Sequence, residues 1–308
     1  MATIAFTHSD FLDHVTPPGH PEQVERIRAV MRGLERVAVE EREAPIAAEA
    51  EVLRCHPADY VDRVKRAVPQ QGWTQLDGDT WLSPGSLRAA LRAVGGVTAA
   101  VDAVMAGAAA NAFVAGRPPG HHAETATAMG FCLFGTVAIA ARRLLDHHGL
   151  SRVAIVDFDV HHGNGTQDLL WDEPRVIFAS SHQMPLYPGT GATEERGAHG
   201  QIVNLPLRGG SGGAEMRAGY EARVFPALER FAPEFVLISA GFDAHEDDPL
   251  AGLRWQAADY AWLTGRICDI ADAHAGGRVV STLEGGYDLS ALEECVAAHL
   301  GVLEERGR

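Results

Sequence analysis

Residues 153–165 read VAIVDFDVHHGNG, and this segment decides the fold. Its first four residues are apolar and mostly β-branched, and a run of that length and composition indicates a buried strand. Acidic and imidazole side chains follow without a break. Because side chains alternate between faces in an extended chain, Asp157, Asp159 and His161 point the same way. A carboxylate and an imidazole two residues apart on one face predict half of a divalent-metal site.

Apolar runs of similar length predict five further buried strands: Ile4–Thr7, Ala112–Ala115, Val176–Ala179, Phe235–Ser239 and Arg278–Thr282. Helical patterns lie between them, such as Ser86–Ala106 and Thr136–His148. The alternation of strand and helix predicts an α/β fold with a mostly parallel central sheet, flanked by helices on both faces. We expect a single domain over residues 1–308. We interpret the stretch from Glu35 to Glu51, rich in Glu and Ala, as a solvated helix and connection.

The composition excludes several classes of function. The chain carries 41 acidic and 26 basic residues, a formal net charge of -15. Such a surface repels phosphates and attracts cations, so we expect no nucleic-acid partner. No glycine-rich phosphate-binding motif follows a predicted strand, which argues against nucleotide binding. Four scattered cysteines without a C-x-x-C pair, and the lack of a basic leader or long apolar run, predict a cytoplasmic protein with reduced thiols and no membrane segment.

Another predicted strand end supplies a further carboxylate. In a parallel sheet, ligands bind in the crevice beyond the carboxyl ends of the strands. Asp243 follows the run that starts at Phe235, and it joins Asp159 and His161 as a third candidate metal ligand. A fourth position is then open. An open position is typical of a catalytic zinc ion because it admits water and a substrate carbonyl.

Two other loops present groups suited to catalysis. The segment Arg117-Pro118-Pro119-Gly120 fixes a loop that presents the adjacent imidazoles of His121 and His122, and imidazoles transfer protons near neutral pH. The last apolar run ends in Glu284-Gly285-Gly286, followed by Tyr287. The glycines would let this phenol reach over the metal and donate a hydrogen bond to a developing oxyanion. A surface loop and an ordinary turn are the alternative interpretations of these segments.

Eight segments, in order from about residue 20 to residue 289, carry a family resemblance: HPEQVERI, LDGDTWLSPGS, GRPPGHHA, MGFCLF, VDFDVHHGNGTQ, SSHQMPLYPGTG, SAGFDAHEDDPLAG and LEGGYDL. Together they resemble the class II type of zinc-dependent, histone deacetylase-like amidohydrolases in the arginase-deacetylase superfamily. The resemblance implies the arginase-deacetylase fold. It also implies an enzyme that removes acetyl or related acyl groups from the side-chain amine of acyl-lysine.

The resemblance also implies roles for individual residues. Three residues would bind zinc: Asp159, His161 and Asp243. Two carboxylates and one imidazole do not exclude iron(II). His122 would act as general base and then as general acid, with His121 and Asp157 as a neighbouring electrostatic pair. Tyr287 would polarise the substrate carbonyl. Asn164 stands where some relatives carry a second orienting aspartate.

Substrate and ion sites follow from the same resemblance. It implies a slender tunnel for a lysine-like chain, with these substrate-binding residues: Asp79, Gly130, Phe131, Tyr187, Leu250, Gly285 and Gly286. Asp79 would be the rim carboxylate that grips the substrate backbone. It further implies a structural potassium ion held by backbone oxygens around these residues: Asp157, Asp159, His161 and Ser181. The hydroxyl of Ser180 would complete that site.

Three alternatives remain open. A two-manganese ureohydrolase shares the fold, but Gly163 and His245 stand where it needs further ligands. An acetylpolyamine amidohydrolase would suit the acidic charge, although Asp248-Pro249 is followed by Leu250 and not by a glutamate gatekeeper. A non-catalytic acyl-lysine binding module would be expected to have lost Tyr287 or a metal ligand. We therefore expect an acylated lysine peptide or a small acylated amine as partner, and the sequence leaves a homo-oligomer open.

Overall fold

The computed structural model describes residues 2–308, and its sheets contain ten strands. The strands are Thr3–Thr7 (β1), Glu40–Glu43 (β2), Thr74–Gln75 (β3), Trp81–Leu82 (β4), Asn111–Val114 (β5), Val153–Asp157 (β6), Val176–Gln183 (β7), Ile202–Leu207 (β8), Phe235–Ala240 (β9) and Val279–Leu283 (β10). Eight of them form one sheet in the order β2-β1-β5-β10-β9-β6-β7-β8. Every pairing in that sheet is parallel. Strands β3 and β4 form a separate antiparallel pair.

Helices cover the sheet in two groups. The α-helices are Glu25–Glu35 (α1), Glu49–Val52 (α2), Ala58–Ala67 (α3), Ser86–Met105 (α4), Thr136–Asp146 (α5), Asn164–Leu169 (α6), Gly213–Gly219 (α7), Phe225–Phe231 (α8), Ala257–His274 (α9) and Leu289–Gly307 (α10). Helix α10 packs against α1 and α9, whereas α4 packs against α5. In β5, the side chain of Asn111 donates to the backbone of α10, whereas that of Val114, on the other face of the strand, meets Gly96 of α4, so the two groups lie on opposite faces. The predicted α/β fold with a mostly parallel sheet is confirmed.

The central strands are apolar because both of their faces are covered. All five residues of β6 are buried, and all six of β9 are buried as well. The six strands that the sequence predicted correspond to β1, β5, β6, β7, β9 and β10. The two predicted helices correspond to α4 and α5. Among residues 2–308, no helix combines the length and the apolar composition that a membrane crossing requires.

The interpretation of residues 35–51 as a solvated helix and connection was wrong in its helix, because residues 40–43 form strand β2. Helix α1 ends at Glu35, and the charged residues of β2 pair in parallel with β1, with Ile4 opposite Glu40. Three of the four β2 residues are exposed, which suits an edge strand, because charges there discourage pairing with other chains. Strand β8 at the opposite edge was missed too. It contains Pro206, a residue tolerated at sheet edges.

A fully buried ionic cluster ties the chain around residue 22 to the centre of the sheet. The carboxylate of Glu22 accepts hydrogen bonds from Arg117 at 2.6 and 2.7 Å and from Arg26 at 3.0 Å. Arg26 also donates to the carbonyl oxygens of Glu284 and Gly286, at 2.6 Å each. Because Arg117 opens the loop after β5 and Glu284 opens the loop after β10, the cluster fixes two loops relative to each other.

We expect Glu22→Gln to lower the free energy of unfolding by about 3–5 kcal/mol, because it leaves two buried guanidinium groups without a counter-charge. Burial alone would raise the pKa of this carboxyl, but Arg117, together with His14 and Arg26, holds it well below its usual range. Its contribution is therefore present at neutral pH and is lost as the pH falls below about 4.3. Urea denaturation of the variant beside Glu25→Gln tests this. Glu25 forms only a surface pair with Arg28, so its loss should cost under about 1 kcal/mol.

Candidate active site

The candidate site lies where four neighbouring strands end. Strands β5, β10, β9 and β6 are consecutive in the middle of the sheet, and their carboxyl ends lie at the same edge. The loops that follow carry the polar groups: His121 and His122 after β5, Tyr287 after β10, Asp243 after β9, and residues 159–164 after β6. A crevice beyond the carboxyl ends of parallel strands is the usual place for a ligand.

Asp159, His161 and Asp243, here called the buried triad, bring three potential metal ligands together. Their ligand atoms all lie within 4.8 Å of one another, and all three residues are buried. Nδ1 of His161 is 3.1 Å from Oδ1 of Asp159 and 3.1 Å from Oδ2 of Asp243. Ligand atoms bonded at about 2.0 Å to a tetrahedral zinc ion are separated by roughly 3.3 Å. The spacing of the triad therefore fits a small divalent cation.

Backbone groups hold the two carboxylates of the triad in place. The N–H of Val160 donates to Oδ1 of Asp243 at 2.8 Å, and the N–H of Gly285 donates to Oδ2 of Asp159 at 2.8 Å. A Cβ at position 285 would overlap with oxygens of both carboxylates. Only glycine therefore lets the loop after β10 approach the two carboxylates this closely. The same close approach allows the N–H of Gly285 to donate to Asp159.

The charge of the triad also favours a bound cation. Asp159 and Asp243 are fully buried, and within residues 2–308 neither forms an ion pair with lysine or arginine. In the part of the chain that the structure describes, they form ion pairs with the imidazoles of His121 and His161. Buried carboxylates are costly unless they are paired or coordinate a metal. Two carboxylates and an imidazole form a donor set that suits zinc or iron(II).

His121 forms a buried pair with Asp157. Its Nδ1 lies 3.0 Å from Oδ2 of Asp157, and its Nε2 lies 3.8 Å from Oδ1 of Asp159. Burial alone would lower the pKa of His121, but the carboxylates of Asp159 and Asp157 raise it well above its ordinary value. Burial raises the pKa of Asp157 to about 6, against the opposing effect of His121. The two carboxylates therefore favour the positively charged form of His121.

His122 has the opposite electrostatic character. Its Nδ1 lies 2.7 Å from Oδ1 of Asn164, and its ring centroid is 4.0 Å from that of His121. Burial lowers the pKa of His122 well below its ordinary value, and the charges of His121 and His161 lower it further. A neutral imidazole beside the metal triad is able to accept a proton.

A cavity of about 260 Å³ leads from the surface to these groups. Its walls are formed by Pro21, Asp79, His122, Gly130, Phe131, His161, Leu186, Tyr187, Leu250 and Tyr287. The rings of Phe131 and Tyr287 meet edge to face with 5.8 Å between centroids, and Tyr187 packs in the same manner on His122 at 5.2 Å. The cavity is thus a mostly apolar channel with an imidazole and a phenol at its inner end.

The Gly130-Phe131 wall depends on an unusual backbone. Gly130 has φ 55° and Phe131 has φ 68°, both in the left-handed region. A Cβ on Gly130 would collide with the ring of His122, so only glycine fits there. The N–H of Phe131 donates to the hydroxyl of the buried Thr80 at 3.1 Å. That bond ties the wall to the segment that carries Asp79.

Comparisons with known proteins identify the family to which this chain belongs. A histone deacetylase domain matches residues 20–303, nearly the whole chain. The chain belongs to the histone deacetylase family. It is therefore similar throughout to hydrolases of the deacetylase type, as the sequence predicted.

Individual relatives support this family assignment. The chain is 39% identical over 303 residues to a histone deacetylase-like amidohydrolase of Pseudomonas aeruginosa, covering 94% of this chain and 78% of the relative. It is 36% identical over 319 residues to histone deacetylase 10, chloroplastic, of Oryza sativa, covering 96% and 72%. The crystal structure of the HDA15 HD domain superposes with a TM-score of 0.93 at 33% identity, covering 99% of this chain and 90% of that one.

The structure of this histone deacetylase family member brings most of the predicted site residues together. His122, His161 and Tyr287 line the inner end of the channel, and Gly130, Phe131, Tyr187 and Leu250 form its walls. The remaining site residues contact these groups or one another: Asp159, Asp243, His121, Asp157 and Gly285. Asp79 stands in the wall near Tyr187, and burial raises its pKa. Gly286, at φ 118°, shapes the backbone directly before Tyr287. The roles of these residues stay predictions.

The serines predicted for a monovalent cation lie beside Asp157. Sheet register pairs Asp157 with Ser180, and both serines are buried. The hydroxyl of Ser180 is 3.0 Å from Nδ1 of His182, and the hydroxyl of Ser181 is 2.8 Å from that of Tyr220. Ser181 would therefore contribute its backbone oxygen, as the resemblance implies.

Sequence reasoning assigned no role to two buried carboxylates that shape the site. Asp248 accepts hydrogen bonds from the N–H groups of Leu250 at 3.0 Å and Tyr287 at 2.7 Å, so it links two walls of the channel. Glu284 accepts from the N–H groups of Gly120 at 2.7 Å and His121 at 3.1 Å. Asp248 lies in the segment SAGFDAHEDDPLAG and Glu284 in the segment LEGGYDL. Their closeness in sequence to predicted site residues is the signal that could have identified them.

A second group of potential ligands lies on the surface. Asp102, His147 and His148 also bring ligand atoms within 4.8 Å of one another. Both oxygens of Asp102 accept hydrogen bonds from Arg143 at 2.8 Å, however, and a cation would have to displace that guanidinium. The buried triad is the better metal site of the two.

Proposed function

We propose that this histone deacetylase family member hydrolyses the side-chain amide of acyl-lysine with the help of a zinc ion held by Asp159, His161 and Asp243. The observation that supports the proposal is the buried triad at the inner end of an apolar channel, with His122 and Tyr287 beside it. The tunnel would hold the methylene chain, and the triad would meet the acyl carbonyl. Iron(II) suits the same ligands.

The chemistry divides between the ion and the protein. When bound, a divalent ion supplies Lewis-acid chemistry, lowering the pKa of water and polarising a carbonyl. His122 would take a proton from the attacking water and then give it to the nitrogen of the leaving amine. A C–O bond forms and the C–N bond breaks, so the products are a carboxylate and a free amine.

His121 and Tyr287 would stabilise charge on either side of this step. The imidazolium form of His121 would place positive charge near the reacting atoms, and Asp157 would hold that ring in place. Burial raises the pKa of Tyr287 well above its ordinary value, and Asp243 and Asp159 raise it further against the opposing effect of Arg26. Its hydroxyl therefore stays protonated at neutral pH and can donate to the developing oxyanion.

The predicted potassium site would support the same pair. Oxygens of Asp157, Asp159, His161, Ser180 and Ser181 would hold this ion. Its charge would add to the field that acts on the His121–Asp157 pair. All five residues are buried, which suits a structural ion.

An acetylpolyamine is the second candidate substrate, and the acidity of the channel mouth favours it. Burial raises the pKa of Tyr187, and the negative charges of Asp79 and Asp77 raise it further. A second ammonium group would be attracted there. Leu250 in the channel wall offers no carboxylate to bind it, so we place acyl-lysine first.

Steady-state hydrolysis of three substrates by the zinc-loaded enzyme tests the proposal. An acetyl-lysine peptide, N-acetylputrescine and N-acetylspermidine are compared, with chelator-treated enzyme and zinc-restored enzyme as controls. We expect a higher kcat/KM for the peptide and loss of activity with the chelator. Preference for the polyamines would replace acyl-lysine by the second candidate. Activity that survives complete metal removal would contradict the metal-dependent mechanism.

A further inference from the structure

The amide of Asn164 bridges the proposed base and a carboxylate that has no assigned role. Its Oδ1 lies 2.7 Å from Nδ1 of His122, and its Nδ2 donates to Oε1 of Glu124 at 2.8 Å. Asn164 is buried and Glu124 is half-buried. The three side chains thus form a short chain of hydrogen bonds that runs away from the cavity.

Both neighbours of the Asn164 NH₂ group are acceptors. Besides Glu124, the sulfur of Met129 lies 3.4 Å from Nδ2. Carboxylate oxygens accept hydrogen bonds, and a thioether sulfur can only accept them too. Rotating the amide by half a turn would bring its oxygen against the Glu124 carboxylate and leave the NH₂ group facing an imidazole nitrogen. Glu124 therefore selects one of the two amide orientations.

The orientation of the amide decides which nitrogen of His122 carries the proton. With Oδ1 of Asn164 opposite Nδ1, the imidazole must donate from Nδ1. A neutral ring has one proton, so Nε2 is then free to accept one. With the amide reversed, Nδ1 would accept and Nε2 would carry the proton. An Asn at position 164 makes this choice depend on its neighbours, whereas an Asp could only accept.

We propose that Glu124 is a positioning residue that fixes the tautomer of His122 by orienting the amide of Asn164. The inference rests on the proposed function only in taking His122 as the base. The hydrogen-bond pattern itself does not depend on the substrate.

The loop that carries Glu124 is anchored to the helix that carries Asn164. The N–H and the hydroxyl of Thr125 donate to Oδ2 of Asp168, at 2.8 and 2.6 Å. Asp168 and Asn164 both belong to α6, Asn164–Leu169. Glu124 is therefore held at a fixed place relative to the amide that it orients, as a positioning role requires.

Three variants at one position separate this role from a merely structural one. Glu124→Gln can still present a carbonyl oxygen to Asn164, so kcat should stay within a few-fold of wild type. Glu124→Lys presents only donors and should reverse the amide. We expect it to lower kcat about a hundredfold or more with little change in KM, which is the range of a lost general base. Glu124→Ala should fall between the two.

A second substitution, Asn164→Asp, should reverse the direction in which Glu124→Lys changes kcat. Asn164→Asp alone places two carboxylates together and should impair turnover. In the double variant, Lys at 124 would donate to Asp at 164, and the Asp would still accept from Nδ1 of His122. Glu124→Lys should therefore lower kcat in the wild-type background and raise it in the Asn164→Asp background. Lowered kcat in both backgrounds would overturn the proposal.

Nitrogen NMR of the ring reads the tautomer without any turnover. The full chain is labelled with ¹⁵N-histidine and measured as purified and after zinc addition, and His122→Ala identifies the signals of His122. We expect a proton on Nδ1 in wild type and in the double variant, and on Nε2 in Glu124→Lys. A proton on Nε2 in wild type, or on Nδ1 in folded Glu124→Lys, would refute the proposal. If Glu124→Lys fails to fold, Glu124→Ala should show both tautomers.

Hydrolysis kinetics and the NMR experiment distinguish a failure of the proposed function from a failure of the positioning role of Glu124. If no substrate is hydrolysed by the wild-type enzyme, the proposed function fails, and the NMR result still decides whether Glu124 sets the tautomer. If hydrolysis is normal and the tautomer ignores Glu124, only the positioning role fails.

Discussion

Replacement of Asp243 by alanine is expected to abolish both metal binding and amide hydrolysis while the chain stays folded. The substitution leaves only one carboxylate and one imidazole in the buried triad. Several kcal/mol of transition-state stabilisation depend on such an ion, so kcat/KM should fall at least about a thousandfold. Metal content by mass spectrometry and kcat/KM for the preferred substrate provide the two readouts.

The effect of Asp243→Ala on stability should be small by comparison. The change leaves the N–H of Val160 without its partner, which costs about 1–3 kcal/mol, but it also removes a buried charge. Asp247→Ala is the matched control, because that side chain is 69% exposed a few residues away. A folded Asp243→Ala enzyme that keeps its metal and wild-type turnover would remove Asp243 from the ligand set.

The central fold could be predicted because strands in the middle of a parallel sheet have a recognisable apolar sequence pattern. Strands β6 and β9 are buried on both faces, so their residues must be apolar and the runs end abruptly at polar groups. The edge strand β2, with the sequence EERE, has no such requirement on its exposed side. Residues 40–43 form a strand because they pair with β1. That pairing is a tertiary contact, and the local sequence pattern does not reveal it.

The buried triad was accessible to sequence reasoning for a related reason. Asp159 and His161 are two residues apart at one strand end, and Asp243 follows a neighbouring strand, so the rule about carboxyl ends brings them together. Glu124 and Asp248 follow no such rule. They reach Asn164 and Tyr287 across loops whose path depends on contacts made elsewhere, such as Thr125 with Asp168.

Tyr287 has surroundings that isolate the contribution of its hydroxyl. The guanidinium of Arg26 lies 4.8 Å from its ring centroid, and the ring of Phe131 packs against it. Its backbone N–H is held by the carboxylate of Asp248. A phenylalanine at this position would keep the ring, both ring contacts and the backbone bond, so the loss of one O–H group would be the only chemical change.

We therefore expect Tyr287→Phe to lower kcat about a hundredfold to a thousandfold with KM nearly unchanged, the usual loss for one oxyanion donor. Single-turnover kinetics should place the loss in amide cleavage and not in product release. Tyr187→Phe is the control, because Tyr187 contributes its ring to the channel wall and should change kcat only a few-fold. If Tyr287→Phe cleaves the amide at the wild-type rate, the carbonyl is polarised without the phenol. In that case the oxyanion would be stabilised by the metal ion and by His121, held by Asp157, without the phenol.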